Sequence, residues 1–222
     1  MEKRFMVFAG NYGSGKTEIS LNMALRAAEK GQTTLCDMDV VNPYFRSAES
    51  GKMLKEHGVK LIAPPFANTT VDVPALSAEV HAAFESDYAI FDAGGDPVGA
   101  IALGRYHEYF EAVRGALKVY YVVNARRPFQ SEADEALVLL DQIQKNARLP
   151  VDALINNTNL AGETTVDDLL YGELMCGKIT EETGIPVAFA AGSPNVLRAY
   201  QETGYRGDVL ELTFYTRLEW ME

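Results

Sequence analysis

The run Gly10-Asn11-Tyr12-Gly13-Ser14-Gly15-Lys16-Thr17 has the residue types and spacing of a phosphate-binding loop, G-x-x-x-x-G-K-[ST]. Its glycines let the backbone turn tightly, so that successive N–H groups point inward at phosphate oxygens. A helix beginning near Gly15 adds its positive dipole end, Lys16 reaches the β- and γ-phosphates, and the Thr17 hydroxyl is a ligand for Mg²⁺. Asn11, Tyr12, Gly13, Ser14 and Gly15, with Glu18 just beyond, complete the expected nucleotide contacts. Both flanks agree with this reading. Residues 5–9 are apolar and read as a buried strand, while Ile19, Met23 and Ala27 recur at helical spacing.

Three more polar clusters follow apolar runs. Asp37 and Asp39 stand two apart at a strand end, where strand geometry aims both the same way. Asp37 is expected to organise Mg²⁺, and Asp39 to position or deprotonate an attacking water; an acidic turn capping the next helix is the alternative. In Ala89-Ile90-Phe91-Asp92-Ala93-Gly94-Gly95, Asp92 would hold a Mg²⁺-bound water, with a backbone N–H of Gly94 or Gly95 for the γ-phosphate. In Asn156-Asn157-Thr158-Asn159, Asn156 and Asn157 are expected near the base, with Pro194 in the loop beside it. A guanine reader needs a carboxylate there, whereas an amide suits the donor–acceptor edge of adenine, so ATP is preferred over GTP. Arg46, Asp72, Arg126 and Arg127 are candidate substrate or phosphate contacts, and an ordinary solvated loop is an equal reading for the two adjacent arginines.

Positioning these residues requires a particular scaffold. Apolar, β-rich runs recur at 5–9, 33–36, 59–63, 88–91, 117–123, 151–155 and 186–190, with helical patterns at 16–30, 46–57, 74–86, 98–114, 131–147, 164–183 and 194–203. Strands that are apolar throughout and separated by amphipathic helices predict an α/β three-layer sandwich. Its sheet is mostly parallel, of about seven to eight strands, with helices on both faces. Residues 209–215 alternate and are expected to form a last edge strand. In such a sheet ligands sit at the carboxyl ends of the strands, where the polar clusters lie.

The chain of 222 residues is expected to be a single nucleotide-binding domain, 1–222. Its net charge of −11 argues against non-specific nucleic-acid binding, which needs a basic surface, but leaves a backbone-made anion site untouched. No apolar run approaches the roughly 20 residues of a membrane span. Met1-Glu2-Lys3-Arg4 leads directly into a strand, so no signal peptide is expected, and Cys36 and Cys176 read as buried thiols of a reducing, cytoplasmic compartment.

Together, Gly10–Thr17 in motif order with Asp37/Asp39, Asp92-Ala93-Gly94-Gly95 and Asn156 resemble the MinD/ParA/CobQ superfamily of P-loop ATPases (the SIMIBI class), which includes the nitrogenase iron protein and dethiobiotin synthetase. The resemblance covers nearly the whole chain and implies a parallel sheet flanked by helices, ATP with Mg²⁺, and often nucleotide-dependent homodimers. Three departures are informative. The signature lysine of many members, which reaches a partner's nucleotide, is here Asn11, followed by Tyr12 instead of glycine. The tail Arg217-Leu218-Glu219-Trp220-Met221-Glu222 lacks the basic amphipathic face of membrane-targeting relatives, and the two cysteines are not placed to hold a cluster.

Three functions fit these residues. The first is a slow, Mg-dependent ATPase acting as a nucleotide switch for a partner protein, with Lys16 and Asp39 as its catalytic residues and Thr17, Asp37 and Asp92 around the metal. The second is an ATP-dependent small-molecule kinase or carboxylate-activating ligase of the dethiobiotin synthetase/CobQ type. The third is a nucleotide-gated scaffold that binds without hydrolysis.

Overall fold

A computed structural model describes residues 4–39, 48–63, 79–95, 97–128 and 132–216. The candidate contacts Arg46 and Asp72, with the rest of 40–47 and 64–78, lie outside the described residues, as does the tail after Thr216.

The described residues form eight strands and eight helices, in the order β1 (Phe5–Gly10), α1 (Lys16–Ala28), β2 (Thr33–Asp37), α2 (Ala48–Glu56), β3 (Val59–Ile62), α3 (Glu79–Ala83), β4 (Tyr88–Asp92), α4 (Pro97–Gly104), α5 (His107–Ala112), β5 (Leu117–Val123), α6 (Ala133–Ala147), β6 (Ala153–Asn156), α7 (Val166–Thr183), β7 (Val187–Gly192), α8 (Pro194–Glu202) and β8 (Asp208–Glu211). The strands form one sheet in the order β3-β2-β4-β1-β5-β6-β7-β8. Every adjacent pair is parallel.

Alternation within the central strands explains the three layers. In β1, Phe5, Val7 and Ala9 pack with α4, α6 and α7 on one face, whereas Met6 and Phe8 pack with Ile19, Leu21 and Ala24 of α1 on the other. A strand buried on both faces has no polar register, which is why these segments are continuous apolar runs. At the β7–β8 end, Leu169 of α7, Leu197 and Tyr200 of α8 and Ala190 of β7 form a smaller cluster.

Two expectations change in detail. The helical pattern at 98–114 divides into α4 and α5, and the expected edge strand at 209–215 is only partly a strand. Its first part, β8, pairs with β7, while residues from Leu212 onward leave the sheet and turn to α1. The parallel arrangement delivers the carboxyl ends of β1, β2, β4, β5, β6 and β7 to one edge of the sheet, and the polar clusters come with them.

Candidate functional site

The loop between β1 and α1 wraps the start of the helix. Gly13 (φ 70°) and Gly15 (φ 89°) take left-handed conformations that favour glycine. A Cβ at Gly15 would also collide with the Asn157 amide, which donates to the Ser14 carbonyl at 2.7 Å. Lys16 Nζ donates to the Asn11 carbonyl at 2.8 Å, folded across the loop it serves. Asn11 is itself tied down, its Oδ1 accepting from Tyr12 N–H and its Nδ2 donating to the Pro128 carbonyl, each at 2.8 Å. The Tyr12 side chain stands out from the loop, 57% exposed.

Beneath the loop lies an acidic, oxygen-rich cluster. Asp37 and Asp92 are register partners at the ends of β2 and β4, and both are buried. Thr17 Oγ1 donates to Asp92 Oδ2 at 2.7 Å, and Ser20 Oγ to Asp92 Oδ1 at 3.3 Å. Asp39 N–H donates to Asp37 Oδ1 at 2.9 Å, and the Asp39 carboxylate lies beside Gly94, in the loop after β4. Burial pushes the Asp92 carboxyl up to about 6; Lys16 and the Thr17 hydrogen bond pull against this, and the nearby Asp39 charge adds to it. Asp37, Asp39 and Asp92 gather near Lys16 and Thr17 at the ends of β2 and β4, and their donors are hard oxygens, a set that fits Mg²⁺. No three carboxylate, imidazole or thiol side chains converge as a closed cage among the described residues. Gly95 abuts the phosphate loop so closely that an added Cβ would come within 2.6 Å of Tyr12 N.

The two adjacent arginines go separate ways. Arg127 Nε donates to the Gly13 carbonyl at 3.0 Å, bringing a cation to the phosphate loop. Arg126 instead pairs with Asp168 Oδ1 at 2.8 Å and lies over the Tyr171 ring. Asp168 also accepts from Thr165 N–H and Oγ1, closing the capping box of α7. Burial alone would raise the Asp168 carboxyl, but the Thr165 and Arg126 bonds outweigh it and hold its pKa below the ordinary carboxylate value. Arg126 therefore anchors the β5–α6 loop to α7. Asp168→Ala should cost about 2 kcal/mol in urea denaturation at pH 7. That contribution is present above the ordinary aspartate pKa and is lost as pH falls through the lowered one. A loss under about 0.5 kcal/mol would count against the anchoring role.

At the end of β6, the asparagines divide similarly. Asn156 Nδ2 donates to the Leu169 carbonyl and its Oδ1 accepts from Thr158 N–H, so its amide is consumed between β6 and α7. Asn157 and Asn159 line a small cavity together with Thr164, Gly192, Ser193 and Phe214. Pro194 is the first residue of α8 and is exposed, just outside that lining. Glu18, adjacent to Thr17, turns away from the phosphate loop, its carboxylate accepting from Tyr215 N–H and from Thr216 N–H and Oγ1.

Several contributors were not singled out by sequence reasoning. Ser20 had a readable signal, being three residues beyond Thr17 on the same helix face. Asn124, whose Oδ1 accepts from Arg126 N–H and Asn159 N–H, and Phe214 had none. At the other end of the phosphate loop, Asn11, Tyr12, Gly95, Arg127, Val138 and Leu139 border a largely apolar cavity of about 910 Å³.

A phosphate loop between a central strand and its following helix, in an all-parallel sheet with acidic strand ends beside it, defines the α/β fold of P-loop NTPases. Solved structures of this fold include the cell division protein FtsY from Thermotoga maritima, similar to this chain with a TM-score of 0.55 and 21% identity over 86% of this chain and 62% of that one. The signal recognition particle 54 kDa protein from Aeropyrum pernix, in complex with GDP, has a TM-score of 0.54 and 18% identity over 86% and 41% of the two chains. The signal recognition particle receptor FtsY from Elizabethkingia anophelis, in complex with GDP, has a TM-score of 0.55 and 16% identity over 86% and 58%. The chain thus spans less than two thirds of the length of each. No family model matches the sequence and no curated protein matches it. These likenesses show the α/β P-loop fold. The finer MinD/ParA/CobQ assignment and the preference for ATP are not carried by them, since the nucleotide named in two of these structures is GDP.

Proposed function

We propose that this protein binds a Mg·nucleoside triphosphate, ATP in preference to GTP, and hydrolyses it slowly as a switch for a partner protein or a second copy of itself in the cytoplasm. The observation that carries this reading is the junction under the phosphate loop, where Thr17 bonds Asp92 while Asp37 sits beside Asp92 in register. Bound Mg²⁺ would neutralise phosphate charge and orient the β- and γ-oxygens. Thr17, Asp37 and Asp92 would hold it, and Lys16 would release the Asn11 carbonyl to reach the phosphates. Asp39, beside Gly94, would orient the attacking water. Support for adenine comes from the lining of the base-side cavity, which presents amides and hydroxyls but no carboxylate among the described residues.

Asn11 in place of a signature lysine sets the expectation of slow turnover, because a neutral amide tied to Pro128 supplies no cation to a partner's nucleotide. Asp39→Ala should lower phosphate release from Mg·ATP about a hundredfold while leaving nucleotide affinity in place. An unchanged rate would sink the role given to Asp39. The cavity at Tyr12 and Gly95 favours a second reading, in which the phosphoryl acceptor is a small molecule seated beside the γ-phosphate. Phosphate release without any added acceptor would decide for water.

A further inference from the structure

One face of α1 carries Glu18, Asn22 and Arg26, four residues apart, and all three reach the same segment. Arg26 Nη2 donates to the Glu211 carbonyl at 2.7 Å. Asn22 pins Thr213 twice, its Nδ2 donating to the carbonyl and its Oδ1 accepting from the N–H, each at 2.9 Å. Glu18, itself buried, accepts from Tyr215 N–H at 2.5 Å, from Thr216 N–H at 3.1 Å and from Thr216 Oγ1 at 2.5 Å. Residues 211–216 thus run as a strap along α1 toward its first turn, the turn of Lys16 and Thr17. Leu212 N–H donates to the Gly192 carbonyl at 2.9 Å and marks where the strap leaves the sheet.

Phe214 lies within this strap and lines the cavity formed with Asn157, Asn159 and Ser193. Asn157 bonds the phosphate loop through Ser14, so the cavity adjoins the phosphate site on the side where a base would lie. Its volume is only about 20 Å³, whereas a cavity of about 150 Å³ is what holds benzene. A purine requires one wall to move. The ends of β6 and β7 are fixed by sheet pairing, while the strap beyond Leu212 is held to α1 by side chains.

We propose that residues 213–216 are the movable wall of the base pocket and that Phe214 is the residue on which the purine ring stacks, with Glu18 as the clasp that sets how readily the wall opens. This inference rests on the nucleotide-binding reading above. A clasp that keeps the pocket closed lowers apparent affinity by the fraction of open molecules, so weakening it speeds entry, whereas removing the stacking ring speeds escape.

The test uses stopped-flow binding of a ribose-labelled fluorescent ATP to the full chain, with Mg²⁺, and inorganic tripolyphosphate as a ligand for the phosphate loop alone. Glu18→Gln is expected to raise the association rate constant about fivefold. Phe214→Leu, which keeps an apolar side chain against the core, is expected to raise the dissociation rate constant about tenfold. Tripolyphosphate affinity should stay within about twofold in both, since neither change touches the loop amides. Wild-type nucleotide rates in both variants would overturn the inference and leave the phosphate site standing. So would a wild-type protein that binds ATP no better than tripolyphosphate. Binding of neither ligand would overturn the nucleotide reading itself, and the strap's role with it. Circular dichroism and thermal unfolding of both variants separate these results from misfolding.

Discussion

Lys16→Ala is expected to lower phosphate release from Mg·ATP by at least about a hundredfold and to weaken nucleotide binding severely, with GTP as comparator. Lys16 is almost fully buried, and its ammonium rests on the Asn11 carbonyl of the loop that would cradle the phosphates. Alanine would remove the one side-chain cation that the loop itself provides, leaving the backbone amides and helix dipole to hold a highly charged ligand. The change should be readable by phosphate-release assay and by calorimetric titration of nucleotide. The fold should survive, since Lys16 opens α1 and contributes none of the apolar contacts between that helix and the sheet. Turnover within threefold of wild type would remove the phosphate loop from the mechanism.

Asp92→Asn is expected to separate stability from activity. The Asp92 pKa is raised from 3.8 to about 6, chiefly by burial. Its ionised form is therefore a burden on the folded, metal-free protein: absent below about pH 4, it grows as pH rises and is complete once pH has passed about 6. The rise corresponds to at most about 3 kcal/mol. In metal-free buffer at pH 7.5 the asparagine variant should melt higher than wild type by roughly 5 °C. The gap should close near pH 4, where both side chains are neutral. The same variant should lose Mg²⁺-dependent phosphate release by about a hundredfold or more, because Thr17 bonds that carboxylate and the proposed Mg²⁺ site includes both. A melting difference that does not vary with pH would mean that Asp92 carries no unfavourable charge when ionised.

Much of the architecture is legible in the sequence. Strands buried on both faces are apolar at every position, as in Phe5-Met6-Val7-Phe8-Ala9, and helices such as α6 repeat at 3.6 residues. Both are local properties of the chain, so they survive in the sequence. The phosphate loop is legible for the same reason, since its geometry is made by backbone, by two left-handed glycines and by the start of a helix, all within eight consecutive positions.

Which side chain faces which could not be read in that way. Arg126 and Arg127 are neighbours of one type, yet one caps α7 through Asp168 and the other holds the phosphate loop at Gly13. Glu18 follows Thr17 and reads as a nucleotide contact, but its carboxylate is taken by Thr216, 198 positions away. Asn156 ends β6 and Asn157 follows it, and their opposite directions send one amide into α7 and the other onto the phosphate loop. The sequence by itself determined the parallel α/β sheet, the phosphate loop and the acidic strand ends, because each depends on residues close together in the chain. Only the tertiary structure decided how the arginines and asparagines divide their partners and that residues 211–216 lie along α1 beside the cavity at Asn157, because those pairings depend on distances between segments that the chain order does not encode.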